Sequence, residues 1–136
     1  MNELIVLKNR LPEIESFQRR LEKMLREEGF SDELVHDLSL VCEEVLVNIV
    51  HYGYEGDKSE REIKVGLSVD HRREVRLEIR DDAVAFDPLA AEERDADDER
   101  PGGWGIPMLK TLTDHVEYAR EGSENVLTVL RSERDS

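Results

Sequence analysis

Apolar residues recur along most of the chain with one of two periods. In "PEIESFQRRLEKMLREEGF", opened by Pro12, the residues Ile14, Phe17, Leu21, Met24 and Leu25 fall at three- and four-residue steps and Gly29 closes the run, which predicts an amphipathic helix. Ser31, followed by Asp32 and Glu33, supplies an N-cap and an acidic first turn for a second helix that reaches about Tyr52. Elsewhere the period is two. "EIKVGLSVD" (62–70) alternates Ile63, Val65, Leu67 and Val69, and "EVRLEIRDD" (74–82) alternates Val75, Leu77 and Ile79. The short link from His71 to Arg73 makes the pair an antiparallel hairpin. "ELIVLKN" (3–9) reads as a strand ahead of the first helix. "WGIPMLKTLTD" (104–114) returns to helical spacing at Ile106, Leu109 and Leu112, and "HVEYAR" and "NVLTVLR", split by Gly122 and Ser123, close the chain as a second hairpin.

Strands with one polar face and helices with one apolar stripe are best satisfied by an α+β fold. The expectation is a two-layer α/β sandwich, with a mostly antiparallel sheet covered on one face by helices. A chain of 136 residues is long enough to bury one such core, so a single domain is expected over residues 1–131, with 132–136 as a frayed tail. The 33 acidic and 19 basic residues leave a formal charge of −14, which opposes binding to a polyphosphate backbone and argues against direct contact with nucleic acid. No apolar run approaches the roughly 18 residues of a membrane span, and the N-terminus lacks the shape of a signal peptide. A cytoplasmic protein without membrane association is expected. The lone Cys42 reads as a small buried hydrophobe rather than a nucleophile.

Three stretches carry candidate chemistry. On the second helix, Val41, Val45, Asn48 and Tyr52 point within one narrow sector, and Asp37, Glu44, Asn48 and His51 form a polar strip along its border. Asp37 and His51 fit a solvated helix edge. Asn48 does not, because a mid-helix Asn is a mediocre helix former and a buried amide needs several partners. Spacing alone leaves Glu43 and Glu44 open as its acidic neighbour. The second stretch is "RDDAVAFDPL" (80–89), two acids at a strand exit followed by a turn. The third is "PGGWGIPMLK" (101–110), whose glycines let backbone N–H groups converge on an anion ahead of a helix.

In this order the three stretches resemble the GHKL ATP-binding fold, also called the Bergerat fold, of gyrase-type topoisomerases, histidine kinases and mismatch-repair ATPases. Within it the chain looks most like the anti-sigma-factor serine/threonine-protein kinases. "EEVLVNIVHYGY" is similar to the family's N box, "DDAVAFDP" to its Asp-x-Gly box, and "GGWGIPMLKTLTDHVEY" to its second glycine box with the helix and strand that follow. The resemblance implies an ATP-dependent kinase that phosphorylates an anti-sigma-factor antagonist and can sequester a sigma factor, regulating transcription by partner switching, as a homodimer. By the same resemblance, Glu44 would be the general base and Asn48 a ligand of the Mg²⁺ that accompanies ATP. Asp81 would accept from the adenine amino group, with Ala83 and Phe86 nearby. Gly103, Trp104, Gly105 and Ile106 would cradle phosphates, residues 90–102 would form a lid, and Thr128 would assist adenine binding through water. Two features depart from the family pattern: Ala83 stands where the Asp-x-Gly glycine is expected, and residues 92–99 carry six carboxylates. These departures frame the alternative, a non-catalytic or weakly nucleotide-binding interaction module of the same fold.

Overall fold

Strand alternation decides which face of the sheet meets the helices. The computed structural model describes residues 1–53, 58–83 and 106–134. Strands β1 (Asn2–Lys8), β2 (Glu62–Val69), β3 (Val75–Asp81), β4 (His115–Glu121) and β5 (Glu124–Arg131) form one sheet in the order β1-β2-β3-β5-β4, every neighbouring pair antiparallel. The register places Ile5 beside Val65, Val65 beside Ile79 and Ile79 beside Leu127, so one row of side chains crosses four strands on a single face. Directly opposed residues share a face of the sheet. Leu7, Ile63, Leu67, Leu77 and Val129 belong to the same buried layer.

Two helices cover that face. Helix α1 (Leu11–Glu27) contributes Ile14, Phe17, Leu21 and Leu25, at the spacing the sequence predicts. Helix α2 (Asp32–Asn48) contributes Leu34, Leu38, Val41, Val45 and Leu46, and the short α3 (Ile106–Leu112) adds Leu109. Leu21, Leu34, Leu38 and Leu77 are completely buried, each stabilising the fold by about 1.5–3 kcal/mol relative to exposure. The expected two-layer α+β sandwich is the architecture observed. Cys42 is buried, and burial pushes its thiol up to about 12, which keeps it protonated and unreactive.

Two differences from the sequence reading bear on the site. Helix α2 ends at Asn48, and the chain continues to Gly53 as a π-helical turn, Ile49–Gly53, rather than as regular α-helix to Tyr52. Such turns recur at functional sites because they displace side chains from the regular helical positions. Asp37 is not a solvated edge: it is 8% exposed and meets the fully buried Arg131. Arg131 lies opposite Val75 on the core face, so its guanidinium has to be neutralised inside the protein. Its Nη1 donates to Asp37 Oδ2 at 2.5 Å and to the carbonyl oxygen of Leu112 at 2.6 Å, tying β5 to α2 and to the end of α3. His51 is exposed. Residues 132–134, read from sequence as part of a fraying tail, carry bonds to the body of the protein: the backbone N–H and hydroxyl of Ser31 donate to the Glu133 carboxylate at 2.6 and 2.7 Å, and Arg134 donates to the Thr111 carbonyl at 2.8 Å.

Candidate functional site

The end of α2 holds an acid and an amide on one face. Residues four apart on a helix are neighbours, and Asn48 Nδ2 donates to Glu44 Oε1 at 3.4 Å. Asn48 is buried and Glu44 half-buried, whereas Glu43 is exposed, which resolves in favour of Glu44 the choice that spacing leaves open. With its nitrogen directed at Glu44, Asn48 presents its oxygen, the atom able to ligate a cation. Among the described residues no cluster of three or more His, Cys, Asp or Glu could hold a metal. A metal here would draw, among the described residues, on Asn48, with further ligands brought with it. That donor set suits Mg²⁺, which is commonly held by one or two side chains together with phosphate oxygens and waters.

The end of β3 supplies the second element. Asp81 is the last residue of the strand and is buried, with its Oδ1 accepting from the Ala83 backbone N–H at 3.0 Å and from Asn125 Nδ2 at 3.0 Å. Burial raises its pKa above the ordinary carboxylate value, opposed by those two hydrogen bonds and by Arg120, with the neighbouring Asp82 adding to the rise. Both bonds fall on the same oxygen, and Oδ2 makes none among the described residues.

Ala83 fits where it stands. Arg73 is the only non-glycine residue with positive φ among the described residues, so Ala83 has a backbone conformation open to any L-residue. Its methyl group packs against Gly53 at the end of the π-helical turn, where an added Cβ would approach Ala83 Cβ to 2.9 Å. That contact joins the two halves of the site, one carrying Glu44 and Asn48, the other Asp81.

Thr128 requires correction. It lies opposite Glu78 on β3 and Glu117 on β4, whereas its neighbours Leu127 and Val129 enter the core. Thr128 therefore occupies the face of the sheet turned away from the helices, while Asp81 lies opposite Asn125 on the helix-covered face. The residue of β5 that reaches Asp81 is Asn125, which sequence reasoning missed because both faces of this strand carry apolar residues and only the pairing with β3 identifies it. Tyr118 and Arg120 on β4 were missed with it. The Tyr118 hydroxyl donates to Asn125 Oδ1 at 2.6 Å, and Arg120 Nη1 donates to the same oxygen at 3.2 Å and to the Ala83 carbonyl at 2.9 Å. Phe86, Gly103, Trp104, Gly105 and the expected lid at 90–102 lie outside the described residues, and Ile106 opens α3.

The model of the histidine kinase-like ATPase domain matches residues 7–131. The chain is 31% identical over 114 residues to the serine/threonine-protein kinase BtrW of Bordetella bronchiseptica, a match covering 80% of this chain and 78% of that protein. It is 32% identical over 117 residues to the serine-protein kinase RsbW of Listeria innocua, covering 78% of this chain and 72% of the relative. Among solved structures, the RsbU and RsbW domains of a Mycobacterium tuberculosis protein align over 97% of this chain with a TM-score of 0.72 at 19% identity. The chain corresponds to 32% of that longer protein. The SiaB–SiaC complex of Pseudomonas aeruginosa aligns over 94% of this chain and 88% of its own with a TM-score of 0.69 at 15% identity. At these identities the structural likeness is one of fold.

Proposed function

Because the chain belongs to the histidine kinase-like ATPase domain family, we propose that it is an ATP-dependent serine/threonine protein kinase of the anti-sigma-factor type. The observation that carries the reading is the pairing of Glu44 with Asn48 on one face of α2, joined through Gly53 and Ala83 to the buried acceptor Asp81. The kinase relatives at 31% and 32% identity support it. In this reading Asp81 accepts from the adenine amino group, Asn48 Oδ1 ligates Mg²⁺, and residues 103–106 receive the phosphates. The bound cation would supply neutralisation of the negative charge on the transferring phosphates. Glu44, beside the metal ligand, takes the proton of the attacking Ser or Thr hydroxyl as the new P–O bond forms and the bond to ADP breaks. Thr128, on the far face, has no part in adenine binding, and Asn125 takes its place.

The client is an anti-sigma-factor antagonist, with a sigma factor as the second partner that the protein sequesters in the cytoplasm. No helix among the described residues is long and apolar enough to cross a membrane. A homodimer is supported by edge strand β1 and the start of α1, which carry the exposed large hydrophobic residues Met1, Leu4, Val6 and Leu11; a monomeric mass in solution would count against it. The alternative, a module that docks partners without catalysis, loses one of its supports, since the Ala83 methyl is accommodated by Gly53.

The deciding experiment is transfer of labelled γ-phosphate from ATP to a cognate antagonist. Wild type should phosphorylate it, and Glu44→Ala should lose about 10²–10⁴-fold in rate, the usual contribution of a positioned base. Equal transfer by the two proteins would remove the kinase assignment.

A further inference from the structure

Strand β4 lies at the edge of the sheet, yet two of its side chains control a buried group in the pocket. Tyr118 packs against the core and donates its hydroxyl proton to Asn125 Oδ1; Arg120 donates to the same oxygen and also holds the Ala83 carbonyl. A carboxamide whose oxygen receives a phenol and a guanidinium has one orientation, because reversing it would set its NH₂ group against two donors. Asn125 Nδ2 is thereby fixed toward Asp81 Oδ1, which already accepts from the Ala83 N–H. One carboxylate oxygen is saturated, and the other is left with lone pairs only.

We infer that Tyr118 and Arg120 are positioning residues that set nucleobase choice: by locking Asn125 they hold its NH₂ group on Asp81 Oδ1, which leaves Oδ2, an acceptor only, as the carboxylate oxygen offered to the base, matched to an exocyclic amino group and mismatched to an oxo group. A base with a carbonyl at that position would bring oxygen lone pairs against carboxylate lone pairs. Once the lock is removed, Asn125 can turn, Asp81 Oδ1 loses a donor, and the contrast between amino and oxo bases narrows. The inference rests on the reading of Asp81 as the nucleobase acceptor and adds to it the residues that determine which base is accepted.

Adenosine and inosine triphosphates differ in the 6-amino or 6-oxo group and in the N1 proton that accompanies the oxo form, so direct binding of both, with Mg²⁺, tests the idea without reference to catalysis. The probe proteins are wild type, Tyr118→Phe, Arg120→Met and Arg120→Lys. Wild type should favour the adenosine form. Tyr118→Phe and Arg120→Met should each reduce that preference by about fivefold, the equivalent of one hydrogen bond, through weaker binding of the adenosine form alone. Arg120→Lys keeps a donor and should restore most of the preference. An unchanged ratio in both altered proteins, or an equal loss for both nucleotides, overturns the positioning role. If wild type binds neither nucleotide, the pocket reading falls and this inference with it. If wild type binds adenosine triphosphate selectively, the selectivity depends on Tyr118 and Arg120, and no phosphate is transferred, the inference stands and the kinase reading fails.

Discussion

A Cβ built on Gly53 would lie 2.9 Å from the Cβ of Ala83 and 3.4 Å from Cγ2 of Ile49. Favourable contacts between carbon atoms lie at about 3.5–4.0 Å, so Gly53→Ala must push the two turns apart by roughly half an ångström. Neither turn yields freely. Ala83 is tied through its N–H to Asp81 Oδ1 at 3.0 Å and through its carbonyl to Arg120 at 2.9 Å, and its own Cβ has no rotamer with which to move aside. Overpacking of this kind costs about 1–3 kcal/mol. Because the displaced turn begins at Asp81, ATP affinity should also fall, by about tenfold for each 1.4 kcal/mol transmitted to the pocket.

The same contact supplies its own control. Ala83→Gly removes the obstructing methyl at a cost of about 0.5–1 kcal/mol, chiefly in added freedom of the unfolded chain. In the double variant the new methyl on residue 53 enters the space the old one left, so most of the loss should return, with a coupling of about 1–2 kcal/mol. Urea denaturation of the four proteins, with nucleotide titration on each, reads both quantities. If Gly53→Ala is equally damaging with and without Ala83→Gly, the two residues do not exchange space and the account of the alanine in this motif is wrong.

Two other perturbations follow from buried charges. Arg131→Met leaves the Asp37 carboxylate 8% exposed and without its guanidinium, which should destabilise the fold by about 3–5 kcal/mol, whereas Asp37→Leu combined with Arg131→Met should recover much of that loss; additive losses in chemical denaturation would refute the coupling. For Asp81, burial raises the folded-state pKa above the ordinary value of 3.8. The folded state therefore holds this proton more tightly than the unfolded chain, and the stability it contributes is full below 3.8 and is lost as pH rises through the higher folded-state value. Relative to wild type, Asp81→Asn should gain stability as pH rises through that window, and a difference independent of pH would show that the carboxyl does not titrate as described.

The fold is legible in the sequence because its signals are local. The alternation at Ile63, Val65 and Leu67 and the steps at Ile14, Phe17 and Leu21 each lie within a single element, and each element finds its place once its apolar face is known. Asn48 is legible for the same reason, as an amide within a helix, whereas spacing leaves its acidic neighbour open between Glu43 and Glu44 and burial decides for Glu44. Asp37 was not, because the group that makes it a buried anion is Arg131, 94 residues away on another element. Nothing in the sequence near Asp37 distinguishes it from a solvated acid, and an arginine near the chain end offers no local sign of burial.

The misplacement of Thr128 has a different origin, and it shows how the two ends of the pocket are built. In β5, Leu127 and Val129 are core residues, so the parity that reaches the helix-covered face is odd, and it includes Asn125 and excludes Thr128. The sequence of β5 does not alternate, since Val126 and Leu130 share the face of Thr128 while Leu127 and Val129 take the other, so the pairing with β3 decides which residue meets Asp81. On α2, the relation between proposed base and metal ligand follows from spacing within one helix and survives any shift of the sheet. At Asp81, the surroundings follow from register: a slip of one residue between β3 and β5 would exchange Asn125 for a residue of the other face. Under the proposed function, the chemistry end of the pocket is thus set within one element and the recognition end between three. Changes on edge strand β4 should accordingly alter which nucleotide is bound before they alter what is done with it.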